Sequence, residues 1–175
     1  VAEIPSIFLV GPMGAGKTTV GRQLAASLGY AFVDSDHEIE ARTGADIPWI
    51  FQVEGEEGFR RREAQVIDEL SRRPRIVLAT GGGAVLREEN RRLLHERGFV
   101  VYLSADIDHL LARTGRDRNR PLLRDPNPRG VFERLLSERG PFYREVAHLE
   151  VNTNAGNVRE AVTSILGCVG SERAG

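Results

Sequence analysis

From Gly11 to Thr18 the chain reads Gly-Pro-Met-Gly-Ala-Gly-Lys-Thr, which fits the spacing G-x-x-x-x-G-K-[ST]. Glycines let a backbone wrap closely, so that successive N–H groups point inward at phosphate oxygens. A helix opening directly after the loop adds its positive end at the same spot. Lys17 supplies a mobile positive charge for the outer phosphates of a nucleotide, and the Thr18 hydroxyl is a ligand for Mg²⁺. The plainer alternative is a glycine-rich turn that fits by accident. Of the 24 lysine and arginine side chains, Lys17 is the only lysine, and it stands at the slot the cradle requires. This favours phosphate binding.

Two further clusters carry chemistry. Asp34 and Asp36 flank Ser35, and in an extended segment residues two apart point to one side. One carboxylate is then placed to hold water on Mg²⁺, and the other to accept a proton from an attacking hydroxyl. The alternative is a solvated turn in which Asp36 caps a helix beginning near His37. Gly81-Gly82-Gly83 permits unusual φ values and close approach of a ligand, or is simply a flexible turn. Ala79 and Thr80 stand where an aspartate commonly ends a metal-binding strand, which leaves Asp34 as the acid nearest the metal.

Most arginines, including Arg61, Arg62, Arg72, Arg73, Arg91 and Arg92, read as solvated or weakly paired. Arg60, Arg120 and Arg139 have more specific settings, in Gly55-Glu56-Glu57-Gly58-Phe59-Arg60, Arg120-Pro121-Leu122-Leu123 and Arg139-Gly140-Pro141-Phe142-Tyr143. Residues 112–130 hold six arginines against Asp117 and Asp125, with three prolines, a composition suited to a lid that closes over polyphosphate. Nucleic acid is a poorer partner for this segment, because it has no aromatics for stacking. Trp49, Phe51 and Phe59 either wall a small pocket or pack in the core. The four histidines lack metal-ligand spacing and read as surface residues.

The elements that must position these residues alternate. Apolar runs at 7–10, 31–33, 76–79 and 100–103 predict strands, with a weaker one at 149–151. Helical spacing marks 17–28 and 59–70, and 87–97 and 106–114 are long enough for helices. Alternation of this kind predicts a parallel sheet covered on both faces, with ligands beyond the carboxyl ends of the strands. The clusters at 11–18, 34–36 and 80–83 each follow a predicted strand, so all three should face one crevice.

The 175 residues suit a single domain spanning 1–175. A net charge of −1 argues against general nucleic-acid binding. No apolar run approaches the ~20 residues that span a bilayer, and the first residues lack the charged flank of a secretory signal. The single cysteine, Cys168, fits a reducing compartment, so the expected location is cytoplasmic.

With these motifs in this order, the chain closely resembles shikimate kinase from about Ile7 to Leu166. The resemblance implies a P-loop NTPase, nucleoside-monophosphate-kinase-like α/β fold: a five-stranded parallel sheet flanked by helices, with a mobile lid at about 112–130 and an acceptor-binding region at about 34–62. It implies transfer of phosphate from ATP to the 3-hydroxyl of shikimate, giving 3-phosphoshikimate and ADP on the route to chorismate and the aromatic amino acids, by a monomeric enzyme. By similarity Gly14, Ala15, Gly16, Lys17, Thr18 and Thr19 hold the nucleotide phosphates. Thr18 ligates Mg²⁺, and Asp34 holds the ion through water. Asp36 contacts the shikimate hydroxyls; Arg60 and Arg139 bind its carboxylate with the Gly82 backbone. Lys17, Asp36 and Arg120 carry catalysis, with Arg120 reaching the ATP phosphates from the lid, and Arg113 stacks on adenine. The chain departs from the family at Asn154-Ala155-Gly156-Asn157, where the adenine loop often carries a basic residue.

Rival readings fare less well. A GTP-driven switch needs N-K-x-D, hence a second lysine, and the chain has none. A gluconate-kinase-like enzyme has a similar cradle, but the triple glycine and Arg120-Pro-Leu-Leu favour shikimate. Nucleotide kinases would not need paired arginines for a carboxylate, and a scaffold without turnover would not need both aspartates.

Overall fold

The computed structural model describes residues 3–114, 125–154 and 157–171. Five parallel strands, β1 (Ile7–Val10), β2 (Ala31–Asp34), β3 (Ile76–Ala79), β4 (Phe99–Ser104) and β5 (Leu149–Asn152), lie in the order β2-β3-β1-β4-β5. Helices α1 (Lys17–Leu28), α2 (Ser35–Thr43), α3 (Ile47–Leu70), α4 (Glu88–Arg97), α5 (Ile107–Thr114), α6 (Pro128–Val146) and α7 (Val158–Ser171) connect and cover them. This is the parallel sheet with flanking helices expected from the alternation of elements, in a P-loop NTPase arrangement.

Alternation along the strands divides the core in two. Phe8, Val10, Leu78, Val100 and Tyr102 pack with Val66, Ile67, Leu70, Leu94 and Tyr143. Ile7, Leu9, Val77, Val101 and Leu103 face the opposite way, against Val20, Leu24, Leu110 and Ile165. Every residue of β1 and β3 is buried, which is why these strands read as unbroken apolar runs. Among the described residues no helix is long and apolar enough to cross a membrane.

Several local expectations are corrected. The cap of α2 is Asp34, whose carboxylate accepts from the His37 N–H at 3.1 Å; Asp36 lies inside the first turn instead of in an extended segment. The helix expected over 59–70 begins at Ile47, capped by Asp46 with a proline in its first turn, and is kinked at Gly55 (φ 74°, ψ 177°). Arg91 is no surface residue. Its side chain is 14% exposed, donates to the Val85 and Leu86 carbonyls, pairs with Glu145 and lies 4.2 Å from the Phe142 ring centre. Trp49 is 56% exposed and lines an open cavity with Asp46, Pro48 and Gln52, apart from Phe51 and Phe59, which stack on each other at 4.7 Å. His37, His95 and His148 are exposed and His109 partly so, with His95 and His148 stacked 4.1 Å apart. Of the lid span 112–130, residues 115–124 lie outside the described residues, and Arg120 with them.

Candidate active site

The three clusters expected to share a crevice follow β1, β2 and β3, which are adjacent and parallel. Asp34 is level with Ala79, and Ala79 with Leu9, so the chain leaves all three strands at one height. Thr80 locks this edge: its N–H and hydroxyl both donate to the Leu9 carbonyl, at 3.1 and 2.9 Å.

The phosphate loop has the backbone its sequence requires. Gly11, Gly14 and Gly16 have φ of 145°, 88° and 99°, values that L side chains rarely adopt. Gly16 caps α1 without a side-chain partner, and no acidic residue stands in the first turn, so the positive helix end is not neutralised locally. Lys17 Nζ folds back on the Gly11 and Pro12 carbonyls at 2.5 and 2.9 Å. Thr18 and Thr19 are exposed at the helix start.

Facing this loop, residues 81–83 act through closeness, not through unusual φ; none of the three has a positive φ. A Cβ on Gly81 would lie 2.6 Å from Asp36 Oδ1 and 3.0 Å from Glu63 Oε2. One on Gly82 would lie 3.4 Å from Arg139 Nη1 and 3.7 Å from both the Gly11 carbonyl and the Tyr143 hydroxyl. One on Gly83 would collide with the Arg60 guanidinium. The triple glycine is therefore the common wall against which Asp36, Arg60 and Arg139 sit, and it touches the phosphate loop. Ser35, fully buried, accepts from the Gly81 N–H at 3.1 Å and fixes the start of α2 against this wall.

Two residues of the site were not singled out from sequence. Tyr143, one helical turn after Arg139, donates to the Gly82 carbonyl at 2.6 Å, and burial pushes its hydroxyl up to about 12. Glu63 is fully buried and pairs with Arg60 Nη1 at 2.8 Å. Burial pushes its carboxyl up to about 7 against the pull of Arg60 and Arg139, and Asp36 pushes the same way. Glu63 Oε2, Arg60 Nε and Arg139 Nε are buried with no hydrogen-bond partner among the described residues. One signal was available for Glu63: an acid on the apolar stripe of α3, three residues after Arg60, is seldom left buried without a partner.

The raised carboxyl has a consequence for stability. Because Glu63 holds its proton more tightly folded than unfolded, its contribution is fully present below about 4.5 and lost as pH rises through about 7. Glu63→Gln should remove that loss. Denaturant titrations at pH 5 and pH 8 should show wild type losing on the order of 2–3 kcal/mol more than the variant. Equal losses in the two proteins would contradict the account.

Arg113 reaches back from the end of α5 to the outer side of the phosphate loop, donating to the Gly14 carbonyl at 3.2 Å and to Thr153 Oγ1 and O at 3.1 and 2.5 Å. The crevice thus joins a phosphate cradle, a carboxylate at a glycine wall and two guanidinium groups beside it. That set suits phosphoryl transfer to an acceptor bearing both a hydroxyl and a negative group.

Comparison with known proteins agrees. The family profile described as shikimate kinase matches residues 13–169. The chain is 58% identical over 166 residues to the shikimate kinase of Psychrobacter cryohalolentis, covering 95% of this chain and 89% of that protein. It is 55% identical over 169 residues to that of Bordetella avium, covering 95% and 81%. A solved structure of the Acinetobacter baumannii shikimate kinase in complex with shikimate superposes with a TM-score of 0.93 at 56% identity, covering 97% of this chain and 94% of that one. With the phosphate loop, the glycine wall and the arginine pair in place, these matches show that the chain belongs to the shikimate kinase family.

Proposed function

We propose that the protein transfers the γ-phosphate of ATP to the 3-hydroxyl of shikimate, releasing ADP and 3-phosphoshikimate for chorismate and aromatic amino acid synthesis. The observation that carries this reading is the glycine wall. Asp36 lies against Gly81, Arg139 against Gly82 and Arg60 against Gly83, while Gly82 also borders the Gly11 carbonyl of the phosphate loop. Two guanidinium groups, each with a buried Nε that makes no hydrogen bond among the described residues (Arg60 Nε has only the ion pair to Glu56 at 3.6 Å), form a fork pair for the acceptor carboxylate. Charge-assisted, two-pronged pairing fixes both position and orientation.

In this reading the acceptor carboxylate lies on Arg60 and Arg139, and its ring rests on the Gly82 backbone. The reacting hydroxyl then falls between Asp36 and the phosphate loop. Its oxygen forms the new bond to Pγ, the bond from Pγ to the bridging oxygen of ADP breaks, and the hydroxyl proton passes to Asp36. Charge on the transferring group is met by Lys17, by loop and helix N–H groups from Gly14 to Thr19 and, from the lid at 112–130, by Arg120. Arg113 stacks on the adenine. Glu63 and Tyr143 hold Arg60 and Gly82 in place.

The residues present fit Mg²⁺. Thr18 is exposed at the cradle, and no cluster of three or more His, Cys, Asp or Glu exists among the described residues that would form an all-protein metal cage. Mg²⁺ suits such a site because it keeps several waters and binds through substrate phosphates. Thr18 would hold it directly and Asp34 through water, using the oxygen not engaged by the α2 cap. When bound, the ion neutralises phosphate charge. The enzyme acts as a cytoplasmic monomer built as one domain, with residues 34–62 as the acceptor-binding region.

The test is ADP release with shikimate, gluconate, AMP or no acceptor. Shikimate-dependent release is expected; turnover without shikimate, or preference for gluconate or AMP, would overturn the reading. Arg139→Ala should raise the KM for shikimate by about 10²-fold, as expected when a charge-assisted pair is lost, and the KM for ATP by far less. An unchanged shikimate KM would place the carboxylate elsewhere.

A further inference from the structure

A phosphate cradle needs its peptide N–H groups aimed inward, and trans peptide geometry then aims the paired carbonyls outward. The peptide joining Ala15 to Gly16 is the vulnerable one. Its rotation changes φ at Gly16, which has φ 99° and no Cβ to resist. A flipped peptide would present a carbonyl oxygen to the phosphates in place of an N–H. The outward Ala15 carbonyl therefore needs a holder.

The shorter of the two side-chain bonds that carbonyl accepts comes from a hydroxyl, the other from Arg113 Nη1 at 3.5 Å. Thr153 follows β5, is 7% exposed, and its Oγ1 lies 3.0 Å from the Ala15 carbonyl. A hydroxyl has one proton to give. The other acceptor in reach, the Ser104 carbonyl, lies farther off at 3.2 Å and also receives the Thr153 N–H at 2.8 Å, so the shorter bond, to Ala15, is the favoured one. Arg113 donates to the same Oγ1 at 3.1 Å and to the Thr153 carbonyl at 2.5 Å, which orients and polarises the hydroxyl. The next residue, Asn154, is tied to the start of α5. Its side chain accepts from the Asp106 N–H at 2.8 Å and donates to the Asp106 carboxylate at 3.1 Å.

We propose that Thr153 is a positioning residue for the nucleotide: by holding the Ala15 carbonyl outward it keeps the Gly16 N–H aimed at the phosphates. It also joins the phosphate loop to the turn after β5 and to α5, so the parts of the site on either side of the nucleotide share one support. The inference rests on the proposed ATP-dependent activity, but the ADP arm of its test needs no acceptor.

The experiment compares Thr153→Val, which keeps the shape and removes the hydroxyl, with Thr153→Ser, which keeps the hydroxyl. ADP affinity is measured by calorimetry, shikimate affinity without nucleotide in the same way, and kcat and KM by ADP release. Thr153→Val should weaken ADP binding and raise the ATP KM by about tenfold, the usual scale for losing a buried hydrogen bond, since the Ala15 carbonyl would keep only the longer contact to Arg113. Its shikimate affinity should stay unchanged, and Thr153→Ser should stay within about twofold of wild type, since it keeps the bond. If Thr153→Val does not fold, Thr153→Ala is read against Thr153→Ser in its place. ADP affinity unchanged in the hydroxyl-free variant would overturn the proposal, and so would a serine variant as impaired as the valine one. A wild-type protein that binds ADP but does not phosphorylate shikimate would sink the proposed function while leaving the ADP comparison readable.

Discussion

Lys17→Ala lowers kcat/KM for phosphoryl transfer by about 10³-fold or more while the protein stays folded. The ammonium is the only one in the chain, and it already sits at the loop mouth, bonded to the Gly11 and Pro12 carbonyls. In the absence of phosphate those carbonyls hold the charge in place; with phosphate present the flexible stem lets it move onto the transferring group. No other side chain of the described loop supplies a positive charge. Folding is spared because the loop keeps a turn of its own, from the Ala15 N–H to the Pro12 carbonyl at 3.2 Å, and because the strand before it is fully buried. Thermal melting should therefore shift little as turnover collapses. A variant retaining a tenth of wild-type kcat would remove Lys17 from the mechanism.

Asp36→Asn is the second large effect, with kcat lower by about 10²–10⁴-fold, the range for loss of a positioned general base. The substitution keeps the shape of the side chain, which matters because Gly81 leaves no room there. Shikimate binding should weaken far less, since the arginines proposed to hold its carboxylate, Arg60 and Arg139, are left intact. The change also reaches Glu63, whose carboxyl Asp36 helps to push up. Removing that negative charge lowers the Glu63 pKa, so the pH window over which Glu63 costs stability moves to lower pH. A pH series of denaturant midpoints on this variant checks the electrostatic half of the prediction independently of turnover.

The strands and the cradle were legible because each rests on a local rule. Fully buried parallel strands appear as apolar runs, and α1 ends at Gly29 as its spacing foretold. What sequence reading missed depended on partners distant along the chain. Glu63 falls on the apolar stripe of its helix in the sequence, but its role shows only once Arg60 and Asp36 come together around it. Arg91 stood in an arginine run that reads as solvated, yet the carbonyls of Val85 and Leu86, Glu145 and the Phe142 ring enclose it. The α6 helix carries Gly140 and Pro141 in its interior, both poor helix formers, and its cap at Asn127 was the signal available for it. Asp34 and Asp36 both stand out in the sequence, but the helix cap falls on Asp34, not on Asp36, and Asp36 lies in a helical turn instead of an extended segment, because Ser35 already begins α2. The glycine wall was right in place and only half right in reason: it serves close approach, and its φ values are ordinary.

A crystal structure with ADP and shikimate bound tests the arrangement most directly. It should show the acceptor carboxylate bridged by Arg60 and Arg139, and the 3-hydroxyl within hydrogen-bond reach of Asp36 on the side facing Lys17. A shikimate lying the other way round, with its carboxylate toward the phosphate loop and its 3-hydroxyl out of reach of Asp36, would contradict it.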